Sequence, residues 1–271
     1  RARERHPDDA EISLRLARLE AQTGRTEEAI RHYQSTLLAL WGPQQLARRR
    51  DLRVQYIEFL LGSNENARAL SETLLLAGEI SDDVPSRLQV GELFLRAGDA
   101  ARALTQFEGA LTLEPRNRTA LARAGDAAFQ AGNFRLAARY LARADDDART
   151  RELRPLVETI VALDPLLPGL STAERQRRVL AAASQLATEL DGCRADRCDR
   201  GDPQCAAIGA LAEELASTRA SLRRRRPSDE SVDAGLSTVT AMAERVAAVC
   251  GAESRVVRAL GLIAAHHGVG H

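Results

Sequence analysis

The stretch VGELFLRAGDAARALTQFEGALTLEP, residues 90–115, decides the fold. Gly98 separates two apolar-patterned segments and Asp99 follows it directly. A glycine adopts the left-handed conformation that ends a helix at no steric cost. An aspartate behind it offers side-chain oxygens to the free amides of the next helix. Pro115 stands where that second helix should stop. The stretch therefore reads as helix, tight turn, helix.

The same punctuation recurs on either side. Gly24, Gly62, Gly98 and Gly132 lie 38, 36 and 34 residues apart, with the candidate caps Thr26, Asn64, Asp99 and Asn133 close behind. Such spacing is the period of a helical-repeat solenoid. If each glycine is place 15 of a 34-residue unit, place 20 holds Ala29, Ala67, Ala103 and Ala137. A larger side chain there would push the second helix of a unit off the first, at a cost on the order of a few kcal/mol. Place 8 holds Ala17, Gln55, Gly91 and Gly125; place 24 holds Tyr33, Ser71, Phe107 and Leu141. Small residues face small ones, and large residues fill between.

Composition agrees with an all-α chain. The 271 residues include only nine aromatics, and alternating strand patterns bounded by hairpin turns are missing. All 38 basic residues are arginine, a bias that fits a GC-rich genome. They balance 38 acids to zero formal charge, which removes the electrostatic footprint of a nucleic-acid binder. No apolar run approaches the roughly 20 residues needed to span a bilayer. The charged opening at 1–6 is abrupt, so contact with a membrane is expected only through an anchor upstream of Arg1.

The repeat resembles the tetratricopeptide repeat family of the bacterial kind. The third unit carries the fullest match, with Gly91, Phe94, Gly98, Ala103, Phe107, Ala110 and Pro115. The fourth offers Gly125, Gly132, Ala137 and Ala144, and the first Ala17, Gly24, Ala29 and Tyr33. The second is weakest, with Gln55 and Ser71 replacing a small and an aromatic residue, and the family's early tryptophan place is lost throughout. The resemblance implies a right-handed superhelical solenoid of about four hairpins, residues 8–163 with a capping helix over 149–163. It also implies a partner groove lined by the first helices. The residues expected to face it are Leu14, Leu52 and Leu88; Arg18, Tyr56, Glu92 and Asp126; and Phe59, Leu95 and Phe129. Family members that clamp a C-terminal carboxylate do so with lysines and asparagines, and this chain has no lysine. An amphipathic helix or an extended apolar segment suits the expected groove better.

Two prolines and a glycine in 164–170 mark a module boundary. Beyond it, residues 171–267 read as a small four-helix module. Its first helix opens on the capping box Ser171/Glu174 and runs to about Asp191; the others cover about 204–222, 229–250 and 253–267. All four cysteines, Cys193, Cys198, Cys205 and Cys250, lie in this module. Two disulfides in any of three pairings, free buried thiols, and a four-thiolate zinc site all fit the sequence. Disulfides would place the protein in the periplasm or outside the cell, and free thiols in the cytoplasm. The arginine runs at 48–50 with Arg53 and at 223–226 read as solvated faces, and the tail after His267 as frayed.

Catalytic motifs are missing: there is no phosphate loop, zinc-protease motif, haem-attachment motif or nucleophile elbow. No cofactor or metal is expected. The sequence points to a non-enzymatic scaffold for protein partners, as an extracytoplasmic subunit of a larger assembly. The alternatives are a self-assembling subunit of a homo-oligomer or extracellular filament, and a zinc-binding regulatory module.

Overall fold

Each apolar segment is a helix that ends where a left-handed residue or a proline interrupts it. The structure, a computed structural model, describes residues 7–39, 42–198, 203–224, 226, 228–250 and 254–269. Among these the regular elements are thirteen α-helices and one 3-10 turn, with no strand. The opening 1–6, Arg225 of the second arginine run, and the last two residues of the tail lie outside the described residues. Contacts divide the chain into two compact units, Arg1–Ala131 and Gly132–His271.

The first unit contains α1 (Pro7–Gln22), α2 (Thr26–Ala39), α3 (Leu46–Gly62), α4 (Asn66–Ala77), α5 (Val84–Arg96), α6 (Ala100–Leu113) and α7 (Arg118–Gln130). They pack as hairpins, α1 with α2, α3 with α4 and α5 with α6, and α6 packs on α7. Gly24 and Gly98 take positive φ of 75° and 88° between paired helices. Asp99 caps α6 by accepting a 2.9 Å bond from Arg102 N.

The second repeat stands two residues away from its expected register. Gly62 is the last residue of α3, and Asn64 takes the left-handed place with φ 59°. Asparagine is the non-glycine residue best able to adopt it. Asn64 is therefore a turn residue, not the expected cap, and Thr26 is likewise the first residue of α2. With Asn64 as place 15, place 20 is Ala69, place 24 Thr73 and place 8 Ile57, all with no exposed surface. Ala67, expected to pack, is exposed. The corrected spacing is 40, 34 and 34 residues. The excess falls before α3, where a 3-10 turn occupies Pro43–Gln45.

Alanines 29, 69, 103 and 137 are completely buried. In the third repeat, Gly91 lies flat against the ring of Phe107, and a Cβ added there would come within 2.8 Å of it. That contact sets how closely α5 and α6 approach.

The second unit contains α8 (Phe134–Leu141), α9 (Ala148–Leu163), α10 (Thr172–Cys198), α11 (Cys205–Arg224), α12 (Asp229–Cys250) and α13 (Arg255–His267). Asn133 and Asp147 cap α8 and α9. Helices α10, α11 and α12 pack on one another, α13 joins α12 and α10, and α9 packs on α13. Phe134 of α8 meets His266 edge-on at 5.4 Å, over Gly132. Helices α8 and α9 thus associate with the bundle.

The proline-glycine stretch at 164–170 is a clamped turn inside this unit. Buried Asp164 accepts from Leu166 N at 2.8 Å, and its other oxygen lies 3.0 Å from His267 Nε2. Arg178 donates to the carbonyls of Val161 and Asp164. Ser171 caps α10, its Oγ accepting from Glu174 N at 3.3 Å, while the Glu174 carboxylate accepts from Arg178 at 3.2 Å. Helix α10 runs on to Cys198, so Asp191, expected to open a turn, lies inside the helix. Gly268, with φ 64°, closes α13.

Candidate functional site

The first helices of successive repeats lie side by side, with α3 against α5 and α5 against α7. Charged residues cross from each to the next. Arg48 Nη2 donates to Glu11 at 2.6 Å and Arg18 Nη2 to Gln55 Oε1 at 2.8 Å, both joining α1 and α3. Arg96 Nη1 donates to Glu58 at 2.6 Å between α3 and α5, and Arg123 lies 3.4 Å from Glu92 between α5 and α7. Exposed pairs of this kind contribute about 0–1 kcal/mol each, so a polar ladder on this face adds little stability. Its regular spacing offers a partner both signs of charge along one line.

The residues expected to line a groove are not all on that ladder. Arg18 and Glu92 are, with Leu88, Leu95 and Phe129 half-buried. Leu14 and Asp126 are buried, and Asp126 Oδ1 accepts from Gln130 Nε2 at 3.2 Å. Leu52 and Tyr56 are core residues because of the two-residue shift, and Phe59 is half-buried. Tyr33 stacks on Tyr56 at 5.2 Å and lies 5.5 Å from Phe59. In the corrected register Val54, Glu58 and Leu61 take their places. The exposed part of the face is therefore polar, and the expected apolar row lies lower.

Burial raises the Tyr33 hydroxyl above its ordinary value and pushes Tyr56 up to about 12. Unfolded tyrosine ionises near 10. These side chains favour the folded state fully below that pH, and the contribution is lost as pH rises from 10 to 12. Alkaline titration of tyrosine absorbance should show late-ionising groups, with thermal stability falling over the same interval. Ionisation of all tyrosines near 10 in the folded protein would contradict this.

Arg53 escapes sequence reasoning. It was expected on a solvated face, yet it is buried, donating to Glu72 at 2.5 Å and to Glu79 at 3.3 Å; Arg49 also pairs with Glu79 at 3.1 Å. The available signal was its position with Ile57 and Leu60 on one helical stripe. In the corrected register it takes place 4, the family's early tryptophan place.

The cysteines form two pairs. Cys193, in the last part of α10, joins Cys250 at the end of α12, with Cα atoms 5.9 Å apart, and Cys198 joins Cys205 across the α10–α11 connection at 5.2 Å. Both separations suit a disulfide. The four sulfurs do not form one cluster. Among the described residues no group of three or more His, Cys, Asp or Glu is placed to hold a metal.

A tetratricopeptide repeat family model matches residues 94–160, and a second such model matches residues 1–43. No curated protein matches the chain. Among solved structures, a tetratricopeptide repeat protein from Parabacteroides merdae aligns over 94% of this chain and 99% of its own, at 14% identity and a TM-score of 0.46. That likeness is too slight to carry an argument. The helical hairpins, the buried alanine at place 20 and the two family matches agree: this chain carries tetratricopeptide repeats.

Proposed function

We propose that the chain is a non-enzymatic scaffold whose repeats, within residues 8–163, hold a protein partner on the first-helix face. Residues 171–267 form the accompanying module of an extracytoplasmic assembly. Tetratricopeptide repeats generally mediate contacts between proteins, and stacked repeats present extended surfaces for the purpose. The observation that carries the reading is the ladder Arg18–Gln55, Glu58–Arg96 and Glu92–Arg123, which continues across four helices. The two cysteine pairs favour an oxidising compartment. No helix among the described residues is long and apolar enough to cross a membrane.

Photo-crosslinking residues placed at Glu58 and Glu92 test this, with exposed Thr105 of α6 as the control. Both ladder positions should capture one common protein, and Thr105 should not. Capture from Thr105 alone would move the partner to another face. The compartment is tested on protein from its native source, denatured without reductant: no free thiol supports the reading, and four free thiols contradict it.

A further inference from the structure

The internal stack shows what covers the leading side of a first helix. Places 3, 7 and 10 are Leu52, Tyr56 and Phe59 in the second repeat, Ser86, Val90 and Leu93 in the third, and Ala120, Ala124 and Ala127 in the fourth. The second helix of the preceding repeat packs on each first helix: α2 on α3, α4 on α5 and α6 on α7. Tyr56 and Leu93 are 1% exposed, and Val90 and the three alanines 0%.

In the first repeat the same places are Ile12, Leu16 and Leu19, which are 55%, 36% and 51% exposed. Leu38 of α2, 63% exposed, lines with Ile12, Leu16 and Ala39 a hollow of about 710 Å3, whose other walls are the polar Ser13, Arg31, His32 and Ser35. Isolated exposed leucines need no explanation, but apolar side chains grouped on one face and rimmed by polar ones mark an interaction surface.

We propose that this end face docks a helical hairpin of tetratricopeptide type, whose second helix lies over Ile12, Leu16 and Leu19 as α2 lies over Leu52, Tyr56 and Phe59. Continuity with the three interfaces already in the unit identifies the occupant. The step that carries each repeat onto the next, taken backwards from α1, places a second helix on these residues. The docking helix would present a large side chain to these residues, as Tyr33 of α2 does to Tyr56 and Phe59. Docking of a second copy head to tail would require a free second helix at the far end of the repeats, whereas α8 packs on α9. The proposal concerns the end of the stack and is independent of any partner on the ladder.

The test joins a copy of residues 50–83 directly ahead of Ala10, which restores the 34-residue spacing and presents α4 to Ile12, Leu16 and Leu19. It is run beside the unfused chain, each with and without Leu16→Glu. In the fused chain, amide exchange in α1 should slow at least tenfold. Leu16→Glu should abolish that slowing and change the unfused chain less than twofold. Unchanged exchange on fusion would overturn the proposal. So would sedimentation of the unfused chain as a dimer at micromolar concentration that Leu16→Glu converts to monomer, since the face would then belong to a second copy.

Discussion

Replacing Phe107 with alanine is expected to destabilise the N-terminal unit by about 3–5 kcal/mol, the range for a fully buried phenylalanine. Its ring has no exposed surface and lies on the backbone of α5 at Gly91. Removing it leaves a cavity bounded by two helices, and the neighbours at hand, Ala103 and Ala110, are too small to fill it. The reciprocal change, Gly91→Ala, adds a methyl where the ring already sits. Overpacking of this kind costs about 1–3 kcal/mol, against about 1 kcal/mol gained in helix propensity. Both variants should lower the thermal midpoint and speed amide exchange in α5 and α6, with Phe107→Ala the more severe. A loss below about 1 kcal/mol for Phe107→Ala would mean that the α5–α6 contact does not hold the stack together.

Removing the Cys193–Cys250 pair by double alanine substitution should cost the C-terminal unit about 4 kcal/mol, and removing Cys198–Cys205 about 2 kcal/mol. The difference follows from the chain each bridge closes. The first spans 57 residues and the second 7, and the unfolded chain loses more entropy when a longer loop is tied. The long bridge also ties α10 to the end of α12, two helices that pack on each other. Denaturant titration of the two double variants, followed by amide exchange in α10 and α12, measures both losses. Equal losses, or a greater loss for the short loop, would contradict the entropic account.

The helices were legible in the sequence where punctuation and apolar period coincide. Residues 229–250, read from pattern alone, are α12 from end to end. The repeats with a glycine in the left-handed turn were placed correctly. The second was not, because the alignment followed glycine, and there the left-handed residue is Asn64. Counting back 34 residues from Gly98 reaches Asn64 and brings Ala69, Thr73 and Leu76 onto the packing places. Gln55 and Ser71, which made this repeat look the weakest, are surface residues read in the wrong register.

The candidate site was less legible, for two physical reasons. The shift put core residues Leu52 and Tyr56 on the expected surface. The polar ladder is made of pairs such as Glu58 and Arg96, 38 residues apart, which come together only when helices stack. The pairing of four cysteines also depends on where the helix ends meet. The extension of α10 to Cys198 brings that residue to Cys205 and leaves Cys193 for Cys250.

The central claim is that hairpins stack at a 34-residue step with a methyl-sized residue at the contact, and the second repeat is where it is most exposed to refutation. Thermal unfolding of Ala69→Leu and Ala67→Leu, two residues apart on α4, tests it most directly. The account predicts a loss of about 1–3 kcal/mol for Ala69→Leu by overpacking and a change within about 0.5 kcal/mol for exposed Ala67→Leu. A larger loss at Ala67, or equal effects at both positions, would contradict it.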